Sequence, residues 1–194
     1  MDIQPLLYYI SNYVTLTPEE EDFLREHVIV RKYLKGQYVL QQGDVCKVSS
    51  FILKCCTKMF YIDKDGQEHI IMLSVEDWWT SDIASFIEQQ PADFNIQCLE
   101  DTEMAQFQYS NIDHIFEKVP KLERLLRKVT ERGLAAAQKR IIRNFSMTAK
   151  ERYLYFRKTY PKIEQRIPQY MVASYLGITK EFLSKIKGQL ALED

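Results

Sequence analysis

The spacing of hydrophobic residues changes along the chain. Thr17 and Glu20 can form a capping box, so a short helix is predicted to begin there. From about residue 28 to residue 107, short runs rich in β-branched and aromatic residues alternate with turn residues. This pattern predicts a barrel or sandwich of antiparallel strands, in which residues 58–62 and 67–73 form a hairpin across an Asp-Gly turn.

Helical spacing returns after this β-rich region. Ser110 with Asp113 and Thr148 with Glu151 form two further predicted capping boxes. Between them, apolar or small residues recur at three- and four-residue intervals and form one stripe of a long helix. The stripe consists of Leu122, Leu125, Leu126, Val129, Gly133, Ala136 and Ala137. It either packs on its own barrel or forms a two-helix dimer interface, where glycine and alanine would allow close approach.

Residues 169–188 show the spacing of a helix-turn-helix. Ala173 is small where the two helices would approach, Gly177 stands where a positive φ is needed, and Thr179 can cap the second helix. Apolar residues occupy the positions that would lock the pair together, namely Val172, Leu176, Ile178, Leu183 and Ile186. A plain αα-corner is the alternative interpretation.

Short polar and cationic residues fill the remaining positions of these two helices. On the second helix, such side chains can donate to guanine, accept from cytosine or reach phosphates in a major groove. The predicted DNA-binding residues are Gln169, Tyr170 and Ser174 on the first helix, and Thr179, Lys180, Glu181, Ser184, Lys185 and Lys187 at the second.

The distribution of charge favours a polyanionic partner for the C-terminal part alone. The net charge is -1, but residues 1–120 carry 9 basic and 20 acidic side chains, whereas residues 121–194 carry 17 basic and 7 acidic ones. A merely solvated basic face is the alternative.

Taken together, these features resemble the Crp/Fnr superfamily of bacterial transcription regulators. The segments that carry the resemblance are residues 34–44, 61–69, 76–79, 149–153 and 167–179. It implies an α+β fold, with an N-terminal antiparallel β-roll of the cyclic-nucleotide-binding type, a long dimerisation helix and a small C-terminal helix-turn-helix domain. Because the sequence ends within a few residues of the second helix, the β-hairpin wing of typical relatives is expected to be truncated or absent.

The resemblance also assigns domains and base-reading positions. It implies a roll with flanking helices over residues 1–118, a dimerisation helix over 119–145 and a DNA-binding domain over 146–194. The family's base-reading Arg, Glu and Arg correspond to Lys180, Glu181 and Lys185. Lysine keeps the charge but lacks the bidentate fork of arginine, so an altered sequence preference is expected.

The sequence departs from the cyclic-nucleotide binders of this superfamily. Those proteins carry a Gly-Glu pair and, about ten residues later, an arginine for the phosphate. Here residues 80–83 read Thr-Ser-Asp-Ile and residues 91–94 read Pro-Ala-Asp-Phe, and the carboxylate of Asp93 would repel a phosphate. We therefore expect no response to cyclic AMP.

Candidate residues for another effector lie in the roll. They are Trp78, Trp79, Asp82 and Phe94, for which a purely structural aromatic core is the alternative. The pattern does not identify the effector beyond favouring an apolar or neutral one.

The cysteines do not indicate a cofactor. They lack the spacing of an Fnr-type iron–sulfur site and of a zinc site, and they are Cys46, Cys55, Cys56 and Cys98. Neither a cofactor nor a metal is predicted, and the cysteines are expected to be small buried hydrophobic residues in a reducing cytoplasm.

Other classes of protein are less well supported by the sequence. The three histidines are widely separated and no phosphate-binding loop or nucleophile elbow is present, so an enzyme is not expected. The first residues do not form a signal peptide and no apolar stretch is long enough to span a membrane, which predicts a cytoplasmic protein without a membrane partner. The remaining alternative is a small-molecule-sensing or protein-interaction roll whose C-terminal domain no longer binds DNA.

The expected partners follow from the resemblance. They are double-stranded DNA with a near-palindromic site, a second copy of the chain, RNA polymerase and an unidentified small-molecule effector. Two recognition helices about 34 Å apart would read the two half-sites of such a DNA.

Overall fold

The computed structural model describes residues 2–192, which form nine helices and eight strands. The helices are α1 (Gln4–Ser11), α2 (Pro18–His27), α3 (Ile83–Glu88), α4 (Tyr109–Lys118), α5 (Lys121–Ser146), α6 (Ala149–Thr159), α7 (Pro161–Arg166), α8 (Gln169–Leu176) and α9 (Lys180–Leu190). The strands are β1 (Ile29–Tyr33), β2 (Tyr38–Leu40), β3 (Val48–Lys54), β4 (Thr57–Ile62), β5 (Glu68–Ser74), β6 (Trp79–Thr80), β7 (Asn95–Cys98) and β8 (Thr102–Gln108).

The strands form the predicted antiparallel β-roll. Sheet A has the strand order β1-β8-β3-β6, and sheet B has the order β2-β7-β4-β5. The hairpin expected from the sequence is the β4-β5 pair, in which Phe60 lies opposite Ile70 and Tyr61 lies opposite His69. The α+β fold class expected from the sequence is therefore confirmed.

One core joins sheet A to the helices on either side of it in sequence. Phe51 and Ala105 of sheet A belong to the same buried cluster as Leu6 of α1, Leu24 of α2 and Leu122 of α5. This cluster fixes the first turns of the long helix α5 against the roll. Helix α1 was not predicted, because its N-cap position is Ile3, which makes no side-chain capping bond.

A second core joins sheet B to the C-terminal helices. Phe60 and Ile70 of the β4-β5 hairpin share a buried cluster with Tyr153 of α6, Val172 of α8 and Ile186 of α9. The helical pair α8-α9 is thus built on the roll of its own chain, and its buried face is fixed by that contact.

Two of the three predicted capping boxes are confirmed. Thr17 and Thr148 each accept a hydrogen bond from the backbone N–H of the glutamate three residues on, at 3.3 Å in both cases. The box predicted at Ser110 is wrong, because α4 begins at Tyr109 and its N-cap residue Gln108 makes no side-chain capping bond. Gln108 is also the last residue of β8, so the helix follows the strand with no loop between them.

Candidate nucleic-acid interface

Helices α8 and α9 are joined by a tight turn that contains the glycine and the capping threonine expected from the sequence. Gly177 has a φ of 67°, in the left-handed region that glycine adopts without steric cost. The N–H of Ile178 donates to the carbonyl of Ala173 at 3.0 Å, which closes the first helix. The Thr179 hydroxyl accepts from the N–H of Phe182 at 3.2 Å, so this side chain caps α9 as expected.

One face of α9 is buried and the opposite face is exposed. Leu183 and Ile186 lie in the core shared with sheet B. Lys180, Glu181 and Lys185 are exposed, and within residues 2–192 none of the three takes part in an ion pair. A helix with this arrangement presents two cations and a carboxylate to solvent on a rigid backbone.

Several exposed groups extend this surface. Gln169 and Tyr170 are exposed in the first turn of α8, and Ser184 is exposed on α9. Phe182 was missed by the sequence analysis, although its side chain is 48 % exposed in the first turn of α9. An exposed ring beside cationic residues suits contact with a thymine methyl group or a sugar.

Two of the predicted DNA-binding side chains, Ser174 and Lys187, also contact other parts of the protein. The Ser174 hydroxyl accepts from the N–H of Ile70 at 3.1 Å and donates to the carbonyl of Glu68 at 3.3 Å. Lys187 is half-buried, and its Nζ lies 3.7 Å from Oε1 of Glu164. The Ser174 hydroxyl is therefore engaged by sheet B and Lys187 forms one partly exposed ion pair, while the DNA contacts expected of both side chains remain predictions.

Helix α8 covers the free edge of sheet B. Strand β5 is the last strand of that sheet, so its outer backbone groups need partners other than another strand. Ser174 bonds two of them, the N–H of Ile70 and the carbonyl of Glu68. The Arg140 guanidinium of α5 donates to the carbonyls of Ile71 and, at 3.0 Å, Tyr175. The same guanidinium lies over the Tyr175 ring, 4.2 Å from its centroid. The edge strand, α5 and α8 are therefore held together at one point.

An arginine clamp makes a second connection between the roll and the C-terminal helices. Arg166 at the end of α7 donates to both Glu76 oxygens at 2.8 and 3.1 Å, and to both Glu100 oxygens at 3.0 and 2.8 Å. These bonds lower the pKa of Glu100 to about 2 and raise the pKa of Arg166. The three residues stand in separate segments of the chain, so no local pattern could have indicated the clamp.

Comparison with known proteins places this geometry in a recognised fold. Residues 30–119 match the family model described as the cyclic nucleotide-binding domain. The c-di-GMP responsive global regulator CLP from Xanthomonas campestris superposes with a TM-score of 0.71 at 17 % identity, covering 89 % of this chain and 90 % of that one. FixK2 from Bradyrhizobium japonicum gives a TM-score of 0.74 at 15 % identity, covering 86 % and 85 % of the two chains. The fold is that of the Crp/Fnr regulators.

A third solved structure has the same fold. A CooA mutant from Carboxydothermus hydrogenoformans superposes on this chain with a TM-score of 0.73 at 14 % identity, covering 96 % of this chain and 84 % of that one. No curated protein matches the sequence. At these identities the structural likeness establishes the Crp/Fnr fold, and the site has to be argued from its own residues.

The residues predicted for an effector pocket lie in three different environments of this Crp/Fnr fold. Trp78 packs edge-on against Tyr160, the residue between α6 and α7, with ring centroids 5.7 Å apart, so it contacts the C-terminal helices. Trp79 packs on Phe51 at 5.4 Å, in the core beside α5. Phe94 lies in a small apolar cluster inside the roll. The structure does not bring these rings together around one cavity.

Asp82, the fourth predicted pocket residue, is a buried structural carboxylate. Its Oδ1 accepts from the N–H of Ser85 at 3.1 Å, which caps α3, and its Oδ2 accepts from the N–H of Asp93 at 3.0 Å. Backbone amides at a helix start are the groups that bind anions. Here the protein's own carboxylate is already bound to these two amides.

The predicted dimer interface of α5 divides between two faces of the helix. Leu122 and Leu125 are buried in the core of their own chain, and Val129 packs against that core. Leu126, Gly133 and Ala136 are exposed. Four further large apolar residues of α5 are exposed although the stripe drawn from the sequence did not include them, namely Leu134, Ile141, Ile142 and Phe145.

None of the helices within residues 2–192 is both long and apolar enough to cross a membrane. In the same part of the chain, no group of three or more histidine, cysteine, aspartate or glutamate side chains is arranged to hold a metal ion.

Proposed function

We propose that this protein is a sequence-specific DNA-binding transcription regulator that acts as a homodimer in the cytoplasm. The observation that carries the proposal is the exposed face of α9, where Lys180, Glu181 and Lys185 stand on a helix whose other face is buried. The Crp/Fnr fold of the chain and the basic character of residues 121–194 support it. In this proposal residues 146–194 form the DNA-binding domain.

Recognition is assigned to the first turns of α9. Lysine donates to the acceptors of guanine and glutamate accepts from cytosine N4, so Lys180, Glu181 and Lys185 carry the sequence preference. The backbone N–H groups at the start of α9 suit a phosphate oxygen. Gln169 and Tyr170 contact the DNA backbone from the first turn of α8. Phe182 joins this set because its ring is half exposed in the first turn of α9.

A second copy of the chain is proposed to cover the exposed face of α5. Leu126, Leu134, Ile141 and Phe145 are exposed on this helix, and Phe145 is 88 % exposed. Apolar residues spaced by seven, or by three and four, suit a two-helix interface, and Leu134 and Ile141 stand seven apart. Gly133 and Ala136 on the same stretch allow the helices to approach closely. The dimerisation helix is thus proposed over residues 119–145, after the roll of residues 1–118.

Cyclic AMP is not proposed as the effector. The amides of Ser85 and Asp93 are bound to the Asp82 carboxylate, and Pro91 and Asp93 stand near the place where binders carry an arginine. A phosphate diester would have to displace a buried carboxylate and would meet a second one. Calorimetry that shows micromolar affinity for cyclic AMP would contradict this part of the proposal.

The decisive experiment is selection from a randomised DNA library with purified full-length protein at stated salt concentration. An enriched near-palindromic site is expected. On that site, Glu181→Ala should relax the preference at one position per half-site by about 1 to 3 kcal/mol. Lys185→Gln should likewise weaken binding by about 1 to 3 kcal/mol and relax the preference at the position whose guanine Lys185 contacts.

Lys64→Gln in the β4-β5 turn is the matched control, because this exposed lysine lies in the roll and should leave the affinity unchanged. A library without any enriched site would contradict the proposal. That result would favour a roll whose C-terminal helices serve only to cover sheet B, which the docking of α8 on β5 already does.

A further inference from the structure

A small cavity lies outside the roll, where the end of α5 meets α6 and α8. Its volume is about 30 Å³. One water molecule needs about 10 to 15 Å³ of such space, so the cavity suits a polar group of a few atoms. Asn144 of α5 and Tyr155 of α6 line it and are exposed, which leaves the cavity open to solvent.

Three arginines line this cavity, and no carboxylate does. They are Arg140 and Arg143 of α5 and Arg152 of α6, and all three are half-buried. Within residues 2–192, none of them lies at ion-pair distance from a carboxylate. Like charges repel, and partial burial reduces their screening by water and salt. An anion between the three guanidinium groups would therefore stabilise this arrangement.

Contacts within the protein position the guanidinium groups. Arg140 donates to the carbonyl of Tyr175 at 3.0 Å and lies 4.2 Å from the centroid of that ring. Arg152 donates to a backbone carbonyl of the α5-α6 connection at 2.9 Å. Arg143 lies 4.2 Å from the centroid of the Tyr155 ring, and its side chain makes no hydrogen bond within residues 2–192. A guanidinium group has five N–H donors, so each of the three keeps donors for a ligand.

Three phenol groups add further donors to the lining, namely Tyr155, Tyr160 and Tyr175. Within the described part of the chain, none of their hydroxyl groups makes a hydrogen bond. Burial raises the pKa of Tyr160, and Tyr175 and Tyr155 raise it further, so its hydroxyl stays protonated and can donate. Arg143 and Arg140 act against this shift of the pKa, which indicates that both cations lie near the Tyr160 hydroxyl.

We propose that this cavity binds a phosphate group with two negative charges, either inorganic phosphate or the phosphate monoester of a small molecule. Arginine is the side chain whose planar set of donors matches the oxygens of phosphate. One phosphate group per subunit would bridge α5, α6 and α8. It would thereby hold the end of the long helix against the helices that carry the exposed face of α9.

A phosphodiester of the DNA backbone fits this cavity less well. It carries a single negative charge, whereas three cations line the cavity without a carboxylate. Its two ester groups would also have to enter a space of about 30 Å³. The site is therefore separate from the proposed DNA contacts. Its binding is measured without DNA, so its failure and the failure of the proposed DNA recognition are distinguishable.

The test is isothermal titration calorimetry of the full-length protein with inorganic phosphate, phenyl phosphate and dimethyl phosphate. At about pH 8 the first two are dianions, while dimethyl phosphate is a monoanion that represents the DNA backbone. Inorganic phosphate or phenyl phosphate is expected to bind saturably, one per subunit, with a dissociation constant below about 1 mM. Dimethyl phosphate should bind at least about tenfold more weakly. The tighter of the two dianions shows whether the source is free phosphate or a monoester.

Two variants test the lining, and a third is the matched control. Arg143→Gln should weaken binding at least about tenfold through loss of a charged donor. Tyr160→Phe keeps the ring and should weaken it about threefold through loss of the hydroxyl. Arg157→Gln should keep the affinity of the wild-type protein, because Arg157 is exposed on α6 and does not line the cavity. Circular dichroism shows whether each variant is folded.

The thermal midpoint gives a second measurement. Saturating phosphate should raise the midpoint of the wild-type protein and of Arg157→Gln at constant ionic strength, and should raise that of Arg143→Gln much less. Three results would overturn the proposal. They are no saturable binding of either dianion up to about 10 mM, an affinity that Arg143→Gln and Tyr160→Phe both leave unchanged, and a dimethyl phosphate that binds as tightly as the dianions.

Discussion

At the scale of single residues, Cys55 shows how a turn can be held in an unfavourable conformation. It links β3 to β4 with a φ of 100°, which a residue with a β-carbon rarely adopts. Its N–H donates to Glu76 at 2.7 Å and its thiol donates to Glu100 at 3.0 Å. Both carboxylates belong to the Arg166 clamp, so the strained turn positions two members of that network.

The first prediction concerns this backbone strain. Cys55→Ala keeps the β-carbon and loses the thiol contact, whereas Cys55→Gly loses the contact and relieves the strain. The glycine variant should therefore be more stable than the alanine variant by about 1 kcal/mol. Urea denaturation of the two variants measures this difference. An alanine variant that is equally or more stable would show that the strain at this position is negligible.

The cysteines themselves fit the structural role expected from the sequence. All four are free and buried. Burial raises the pKa of the Cys56 thiol to about 12 and also raises the pKa of Cys46, Cys55 and Cys98. A thiol with a raised pKa is a poor nucleophile at neutral pH, so the buried cysteines fit a packing role.

Residue-scale features were predictable where their cause is local. Gly177 and Thr179 were identified because a positive φ and an N-cap are requirements of the adjacent backbone. The partners of Ser174 are 104 and 106 residues away in sequence, and those of Arg166 are 66 and 90 residues away. Nothing in the neighbourhood of either residue specifies such contacts, so only the folded chain shows them.

At the scale of secondary structure, α5 shows why a hydrophobic stripe does not by itself identify an interface. Leu122 and Leu125 pack on the roll, while Leu126 is exposed, although all three belong to the stripe drawn from the sequence. Helical spacing marks the apolar positions but does not say which surface covers them. The same limit explains the four candidate pocket residues, three of which are aromatic side chains placed in separate packing environments.

The second prediction tests the proposed interface on α5. Ile141→Asp places two like charges against each other at an interface with a second copy, so the dissociation constant of the dimer should rise at least about a hundredfold. Sedimentation velocity at micromolar concentration measures the change as a shift toward the monomer. Ile141 is 56 % exposed in the subunit, so the substitution should not disturb its fold.

Lys139→Asp is the control on the same helix. Lys139 is exposed and lies two positions from Ile141, which turns it by about 200° around the helix axis. This variant should remain dimeric. A wild-type protein that sediments as a monomer, or an Ile141→Asp variant that stays dimeric, would contradict the interface proposed here.

At the scale of the whole molecule, the two cores divide the chain in a way that charge and periodicity did not indicate. The sequence shows an acidic N-terminal part and a basic C-terminal part, and this contrast favours a polyanionic partner for the C-terminal part alone. It does not indicate how the two parts are joined. In the structure the C-terminal helices are joined to sheet B through a common core, the edge of β5 and the Arg166 clamp. The basic surface is therefore held in a defined orientation to the roll.

The last prediction concerns the clamp and its dependence on pH. The pKa of Glu100 is lowered to about 2, first by its hydrogen bonds with Arg166, so its ionised form is favoured in the folded state. A carboxylate with a lowered pKa contributes stability that is fully present above its unfolded pKa, near 4.3, and is lost as the pH falls toward the folded value. Glu76 acts in the same direction: burial raises its pKa, but the bonds from Arg166 and from the backbone N–H groups of Glu76 and Cys55 together lower it.

Arg166→Gln should therefore lower the free energy of unfolding at pH 7 by about 1 to 2 kcal/mol, a modest value because solvent screens these half-exposed carboxylates. The difference from the wild-type protein should shrink between about pH 4.5 and pH 2, as the carboxylates become protonated in both. Denaturation curves at several pH values measure it, with Arg124→Gln as the control, since Arg124 is exposed. A difference that stays constant down to pH 2 would mean that Arg166 stabilises the protein by packing and not by its charge.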